Sequence, residues 1–385
     1  MAPSNPMLQV ECVADERQLA GLKREWDELW SRSASRSFFL TYDWTRCCWD
    51  ELRAVNEIRI FVVRDAARVL LIAPFMKSCR PERGLPATCL TFIEHPETQI
   101  ADLVTCSEDV EGLAVRALFH HLLHQPADWH LLSLDKIPEA SPTVKHLRHL
   151  AGLVHEPCEL QQSHEAYYLP LDGTWEKYLN SRSTRFRKTL RNIINRAGRL
   201  GGQIEVKRHA GPEIRSSVLQ KVFSVSDSSW KLVDGVAMTS HLPRMRFFED
   251  IISSPIQRAA IEIWILEVDA IPIASEIQVV DGAVVYALRS DYDERYADFS
   301  PGVYLQIEIL KQLFGSRQEF YNFGVGLNPY KARWTDARMS LVKFRVYNKS
   351  LYGRLLRSVH GYDLAQLRRI PGLKSLHNYF SGRSL

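Results

Sequence analysis

The 385-residue sequence lacks several familiar catalytic signatures. It has no GxxxxGK[ST] loop, no GxSxG elbow and no HExxH pair, so nucleotide hydrolysis, serine hydrolysis and zinc proteolysis have no footing in it. Its one GxG, Gly324-Val325-Gly326, has no third glycine and no helix pattern directly behind it. No uncharged apolar run approaches the length of a bilayer crossing, and the first residues, MAPSNPMLQVECVADERQ, lack the basic-then-apolar pattern of a leader. A cytoplasmic protein is expected, at most peripheral at the inner face of the membrane. The seven cysteines are an odd number with no CxxC, which disfavours a disulfide framework or zinc ribbon and points to reduced thiols. His120, His121 and His124 include one i, i+4 pair, but no Cys or acidic partner lies nearby, so they read as a helix face and no metal is expected.

What is present is a chain of ordinary globular composition, 45% apolar and 24% charged, long enough for two domains. The net charge of +4 is unevenly spread. Residues 351–385 hold six Lys or Arg against Asp363, and Trp175 to Leu200 holds eight against Glu176. Arg182, Arg185, Lys188, Arg191 and Arg196 crowd one side of a helix whose other side carries Phe186, Leu190, Ile193 and Ala197. Such a face suits an acidic substrate, the phosphates of CoA or tRNA, or anionic lipid; the plain alternative is a solvated helix face.

Hydrophobic patterning predicts β-rich runs at IEIWILEV, IPIASEIQVV and VVYALRS (residues 261–290), with a type I′ hairpin on Asp281-Gly282. Ser300-Pro301-Gly302 then opens a helix to about Gly315, with Ser300 as N-cap, and EFYNF (319–323) reads as the next strand. A right-handed crossover lays the strands around this helix parallel, which places a ligand at their carboxyl ends beside the helix N-terminus. The N–H groups of Gly302, Val303 and Tyr304 are the expected phosphate donors. A similar order (strands 57–65, 69–76 and 89–93, a helix over 109–124, a strand 129–134) fills the first half. The expected fold is therefore α/β, two tandem domains, each a mixed, mostly antiparallel sheet flanked by helices with one parallel strand-helix-strand crossover. The boundaries are residues 1–160 and 161–350, followed by a basic tail, 351–385.

The string SDYDERYADFSPGVYLQIEIL, with FYNFGVGLNPYKARW after the helix, resembles the GNAT-type acyltransferases of the CelD/FemAB-like group, also described as a BioF2-like acetyltransferase domain. The matching positions are Tyr292, Asp293, Tyr296, Ser300, Pro301 and Gly302, then Phe323, Gly324, Gly326, Tyr330 and Lys331. Trp175, Tyr178 and the arginine helix are also similar, while the first half fits more loosely through Phe38, Trp44 and Ile72-Ala73-Pro74. Asn322 stands where the group usually has Asp, and the RxxGxG pyrophosphate signature is missing.

The resemblance implies two GNAT-like domains and acyl transfer to an amine or hydroxyl of a polysaccharide- or cell-envelope-related acceptor. It implies acetyl-CoA or another acyl-CoA as donor; aminoacyl-tRNA is the rival donor, and a non-catalytic module binding an anionic polymer or membrane is the rival class. Such chemistry needs a base, oxyanion donors and an acid for the leaving thiolate. Glu276, mid-strand among apolar residues, is the first candidate base, unless it points to the solvent face of its strand. Asp293 competes with it, or forms a turn. Lys331 is the candidate for an oxyanion or a substrate anion, and Tyr292 or Tyr296 for the acid. Ser300, Gly302, Val303, Tyr304, Phe323 and Gly324 form the candidate cofactor set; Arg185, Lys188, Arg191, Trp230, Tyr330 and Trp334 form the substrate set.

Overall fold

The structure is a computed structural model that describes residues 8–360 except 67, 83, 125–127, 154–157 and 255–258. Of the basic tail, residues 361–385 therefore lie outside the described residues. Among the described residues thirteen strands form one mixed sheet: β1 (Leu8–Val13), β2 (Glu57–Asp65), β3 (Arg68–Glu82), β4 (Leu85–Phe92), β5 (Val104–Thr105), β6 (Leu131–Pro138), β7 (Cys158–Pro170), β8 (Ile204–Ala210), β9 (Ile261–Val268), β10 (Ile271–Asp281), β11 (Val284–Tyr292), β12 (Phe320–Val325) and β13 (Arg338–Tyr347). Their order is β1-β2-β3-β4-β6-β13-β7-β12-β11-β10-β9-β8, with β5 beside β3. The helices are α1 (Glu16–Gly21), α2 (Lys23–Ser31), α3 (Tyr42–Leu52), α4 (Leu113–His124), α5 (Pro142–Leu153), α6 (Trp175–Ser181), α7 (Thr184–Ala197), α8 (Ser216–Asp227), α9 (Trp230–Val233), α10 (Leu242–Ser253), α11 (Pro301–Leu313), α12 (Pro329–Ala332) and α13 (Leu351–His360). Among the described residues no helix is long and apolar enough to cross a membrane.

The expected α/β architecture is present in both halves. Each half is mostly antiparallel with one parallel pair made by a helical crossover: β4 with β6 across α4, and β11 with β12 across α11. The halves merge because β13 lies antiparallel between β6 and β7, placing Val342, Phe344 and Val346 in the core of the first half. The period-two pattern of β13 is thus used on a sheet made by both halves.

Two turns differ from expectation. Asp281 pairs with Val284, so Gly282 and Ala283 form the loop, Gly282 at φ 61°. The Asp281 carboxylate is instead drawn to the first half, accepting from the Phe38 N–H at 2.8 Å. The turn with two positive φ angles, the signature of type I′, falls on Asp269 and Ala270 (50° and 64°) between β9 and β10.

One of the apolar clusters spans both halves. Trp44, fully buried on α3, meets Phe247 of α10 edge-on at 5.3 Å and gives its indole N–H to Thr98 at 3.2 Å. Phe39 meets Tyr286 at 5.1 Å. Truncating Trp44 leaves a cavity at this junction and removes one hydrogen bond to the Thr98 hydroxyl, which keeps the His95 N–H at 3.0 Å. Trp44→Ala is expected to cost about 3–5 kcal/mol of stability, read by urea unfolding.

Candidate active site

β11 and β12 pair over only three rungs, Val284 with Phe320, Val285 with Tyr321 and Tyr286 with Asn322. Beyond these they part. β11 stays with β10 through a bulge at Ile277/Gln278, whereas β12 turns toward β7 through an irregularity between Asn322 and Val325. Gly324 sits in that bend at φ 85°, and a Cβ there would stand 3.2 Å from Gln99 Oε1 and 3.3 Å from the Ala287 carbonyl oxygen. Only glycine combines that φ with so close an approach. The wedge opens onto a cavity of about 620 Å³ at the carboxyl ends of both strands and the start of α11.

Glu276, on β10, lines this cavity while only 3% exposed. The strand register turns it inward, away from solvent. Its Oε1 accepts from Gln278 Nε2 and Tyr321 Oη, both at 2.6 Å, and its Oε2 from Ser290 Oγ at 2.7 Å. Burial pushes its pKa above the usual carboxylate value, and the three donors hold it back from rising further. Gln278 is fixed in turn by the Trp264 indole, which donates to its Oε1 at 3.1 Å.

Lys331, on the short α12, lines the same space. Its ammonium donates to the carbonyls of Gly324 at 2.9 Å and Val325 at 3.0 Å, and burial lowers its pKa to about 8. The cavity is also lined by Arg289 and Asp291, paired at 3.1 Å; Lys231 joins Asp291 at 2.5 Å, and Glu97 from the first half joins Arg289 at 3.1 Å. Gln99, also from the first half, accepts from the Val325 N–H at 2.8 Å. The cavity is therefore walled by both halves.

Of the residues singled out from the sequence, Glu276, Tyr292, Lys331, Ser300, Gly302, Val303, Phe323, Gly324, Trp230 and Tyr330 converge on the cavity. Others stand apart. Asp293 caps the 3₁₀ turn that follows β11 and is held by Arg295 at 2.6 Å, which lowers its pKa against the effect of burial. Tyr296 and Tyr304 pack around the apolar cluster of the second half, and Trp334, 1% exposed, lies inside it. Arg185, Lys188 and Arg191 lie exposed on α7, which packs against α11 outside the cavity. Ser300 is not a side-chain cap. It adopts a left-handed conformation (φ 63°), and its carbonyl takes the N–H groups of Val303 and Tyr304 at 3.1 Å each. Because Pro301 has no N–H, only Gly302 keeps a backbone donor free, fewer than the three expected for a phosphate.

Residues 184–332 match the acetyltransferase (GNAT) domain family. This segment has the GNAT-type acyltransferase fold. Its family match covers α7 to α12, and hence the parted strands, Glu276 and Lys331. The chain is similar in fold to FemX, with a TM-score of 0.56 at 13% identity over 87% of this chain and 98% of that one. It is also similar to the C-terminal domain of a protein assigned as a lysylphosphatidylglycerol synthetase from Agrobacterium fabrum, with a TM-score of 0.52 at 13% identity over 89% and 96%. L-PGS from Bacillus licheniformis gives a TM-score of 0.50 at 13% identity over 90% and 96%. At such identities the likeness is one of fold. No curated protein sequence matches the chain. Residues of the candidate site that sequence reasoning missed include Ser290, Gln306 and Tyr321, together with Glu97 and Gln99. A signal existed for two of them, since the β-rich run VVYALRS before the crossover helix ends on Ser290 and Gln306 interrupts that helix's apolar face. Glu97 and Gln99 lie in a loop more than 170 residues away in sequence, and no local pattern marks them.

Because Lys331 has no carboxylate partner among the described residues and is desolvated, its amine is expected to titrate near pH 8, well below the usual lysine value. Competitive acetylation of the folded protein across pH, read by peptide mass spectrometry, checks this.

Proposed function

We propose that the chain transfers an acyl group from acyl-CoA, acetyl-CoA or a longer thioester, to an amine or hydroxyl of a polysaccharide- or cell-envelope-related acceptor. The observation that carries this reading is the buried, cavity-lining carboxylate of Glu276 at the parting of β11 and β12. In this reading the acyl arm lies between the parted strands, Glu276 is the base, and Lys331 and the Gly302 N–H stabilise the developing oxyanion. Tyr292 is the candidate acid for the leaving thiolate. The acceptor enters past Trp230 and the Lys231–Asp291–Arg289–Glu97 wall. The division into domains at 1–160 and 161–350 belongs to the same proposal, with the first half serving as a wall of the site.

A second reading of the donor, aminoacyl-tRNA, is favoured by α7. Arg185, Lys188, Arg191 and Arg196 are exposed on it, and none forms an ion pair among the described residues. The helix lies against α11, with Arg196 donating to the Asp298 carbonyl at 2.7 Å. An unneutralised basic face beside the donor helix suits many phosphates better than the single free Gly302 N–H does. The name lysylphosphatidylglycerol synthetase likewise describes attachment of an aminoacyl group.

Calorimetric titration with acetyl-CoA separates the readings. Saturable binding supports the CoA donor; no binding at millimolar ligand overturns it, and binding of aminoacyl-tRNA that is lost in the charge-reversed Arg185→Glu/Arg191→Glu variant would replace it. With a competent donor, Glu276→Gln should slow turnover about 10²–10⁴-fold without changing donor affinity. The base works only when deprotonated, and its pKa is raised. Activity should therefore rise with pH through a limb above the usual carboxylate range, and that limb should be absent from Glu276→Gln.

A further inference from the structure

We propose that Ser290 is the proton relay between the attacking amine or hydroxyl of the acceptor and Glu276; the inference rests on the reading of Glu276 as base. It follows from counting protons. The Trp264 indole can only donate, so the atom of Gln278 that it meets at 3.1 Å is the carbonyl oxygen. The other amide atom, 2.6 Å from Glu276 Oε1, is then the NH₂ group and donates. Tyr321 Oη, also 2.6 Å from Oε1, has one proton, which the carboxylate takes. Oε1 is thus committed twice over as an acceptor. A proton arriving at Glu276 has one place to go, Oε2, whose partner is Ser290 Oγ at 2.7 Å.

Exposure orders the groups in the same way. Glu276 is 3% exposed behind the wall, whereas Ser290, two residues before the end of β11, is exposed and lines the cavity. A nucleophile entering the cavity reaches the serine hydroxyl before the carboxylate. Besides Ser290 and Gln278, the titratable groups facing Glu276 are the phenols of Tyr321 and Tyr330, both kept protonated by burial. They compete for no proton near neutrality.

As the acceptor's nitrogen or oxygen bonds to the acyl carbon, its proton passes to Ser290 Oγ while the serine's own proton passes to Glu276 Oε2. The bond from acyl carbon to carrier breaks, and its electron pair leaves with the carrier. After product departs, the proton on Oε2 returns through Ser290 to solvent. Serine ends unchanged, with no covalent bond to the acyl group.

Two measurements on the full chain test the relay. In infrared difference spectra taken on lowering the pH, a carboxylic-acid band that is absent from Glu276→Gln should shift in Ser290→Ala and return in Ser290→Thr. In thiol release from acetyl-CoA with hydroxylamine as nucleophile, Ser290→Ala should be slowed about tenfold or more, since water replaces the hydroxyl imperfectly, and Ser290→Thr should recover most of the rate. A Glu276 band unmoved in Ser290→Ala, a wild-type rate in Ser290→Ala, or an acyl adduct on Ser290 would each overturn the relay and leave the base in place. Wild-type turnover by Glu276→Gln, no band assignable to it, or no turnover by the unaltered protein would overturn the base, and the relay with it.

Discussion

A carboxylate in the middle of a β-sheet is the constraint on which the rest of the site depends. Burying Glu276 without partners would cost several kcal/mol, and the group would stay neutral instead. Its donors come from its own strand β10 (Gln278), from β11 (Ser290) and from β12 (Tyr321). Keeping the charge satisfied therefore fixes the mutual register of three strands, since a one-residue slip of any of them would turn a partner to the opposite face. The same register sets where β11 and β12 part, and so where the cavity opens.

The parting itself has a steric origin. Gly324 lets the backbone of β12 come close to Ala287 and Gln99, and the bend diverts β12 toward β7 while β11 follows β10. The lysine that follows, Lys331, seals this bend by donating to the carbonyls of Gly324 and Val325. Its lowered pKa reflects that position in a desolvated wall. The first half of the chain is tied to the bend by Gln99 and to the cavity wall by the Glu97–Arg289 pair. With β13 seated between β6 and β7, the geometry of the site depends on contacts from both halves.

Much of this was legible from the sequence. The β-rich runs, the Pro301–Gly302 helix start and the strand after it led to a parallel crossover with a ligand at its carboxyl ends, and that is where the cavity lies. Glu276 was legible as a carboxylate among apolar residues, but alternation alone left its face open; packing against Trp264 and α11 decided it. Ser300 does stand at the N-cap, but its left-handed backbone makes its carbonyl, not its side chain, the acceptor for the first N–H groups, which the Ser-Pro-Gly pattern alone does not distinguish. The hairpin loop shifted by one residue because Asp281 forms a tertiary bond to Phe38 that no local rule anticipates. Glu97, Gln99 and the seating of β13 depend on long-range pairing, which leaves no mark on nearby residues.

The central claim is that the parted strands of the GNAT domain hold the acyl donor against the Ser290–Glu276 pair. A crystal structure of the full chain soaked with CoA tests it most directly. The account predicts the thiol between β11 and β12, near Ala287 and Phe323, with Ser290 facing the sulfur. A thiol seated elsewhere, with the wedge between β11 and β12 closed or filled by side chains, would contradict it.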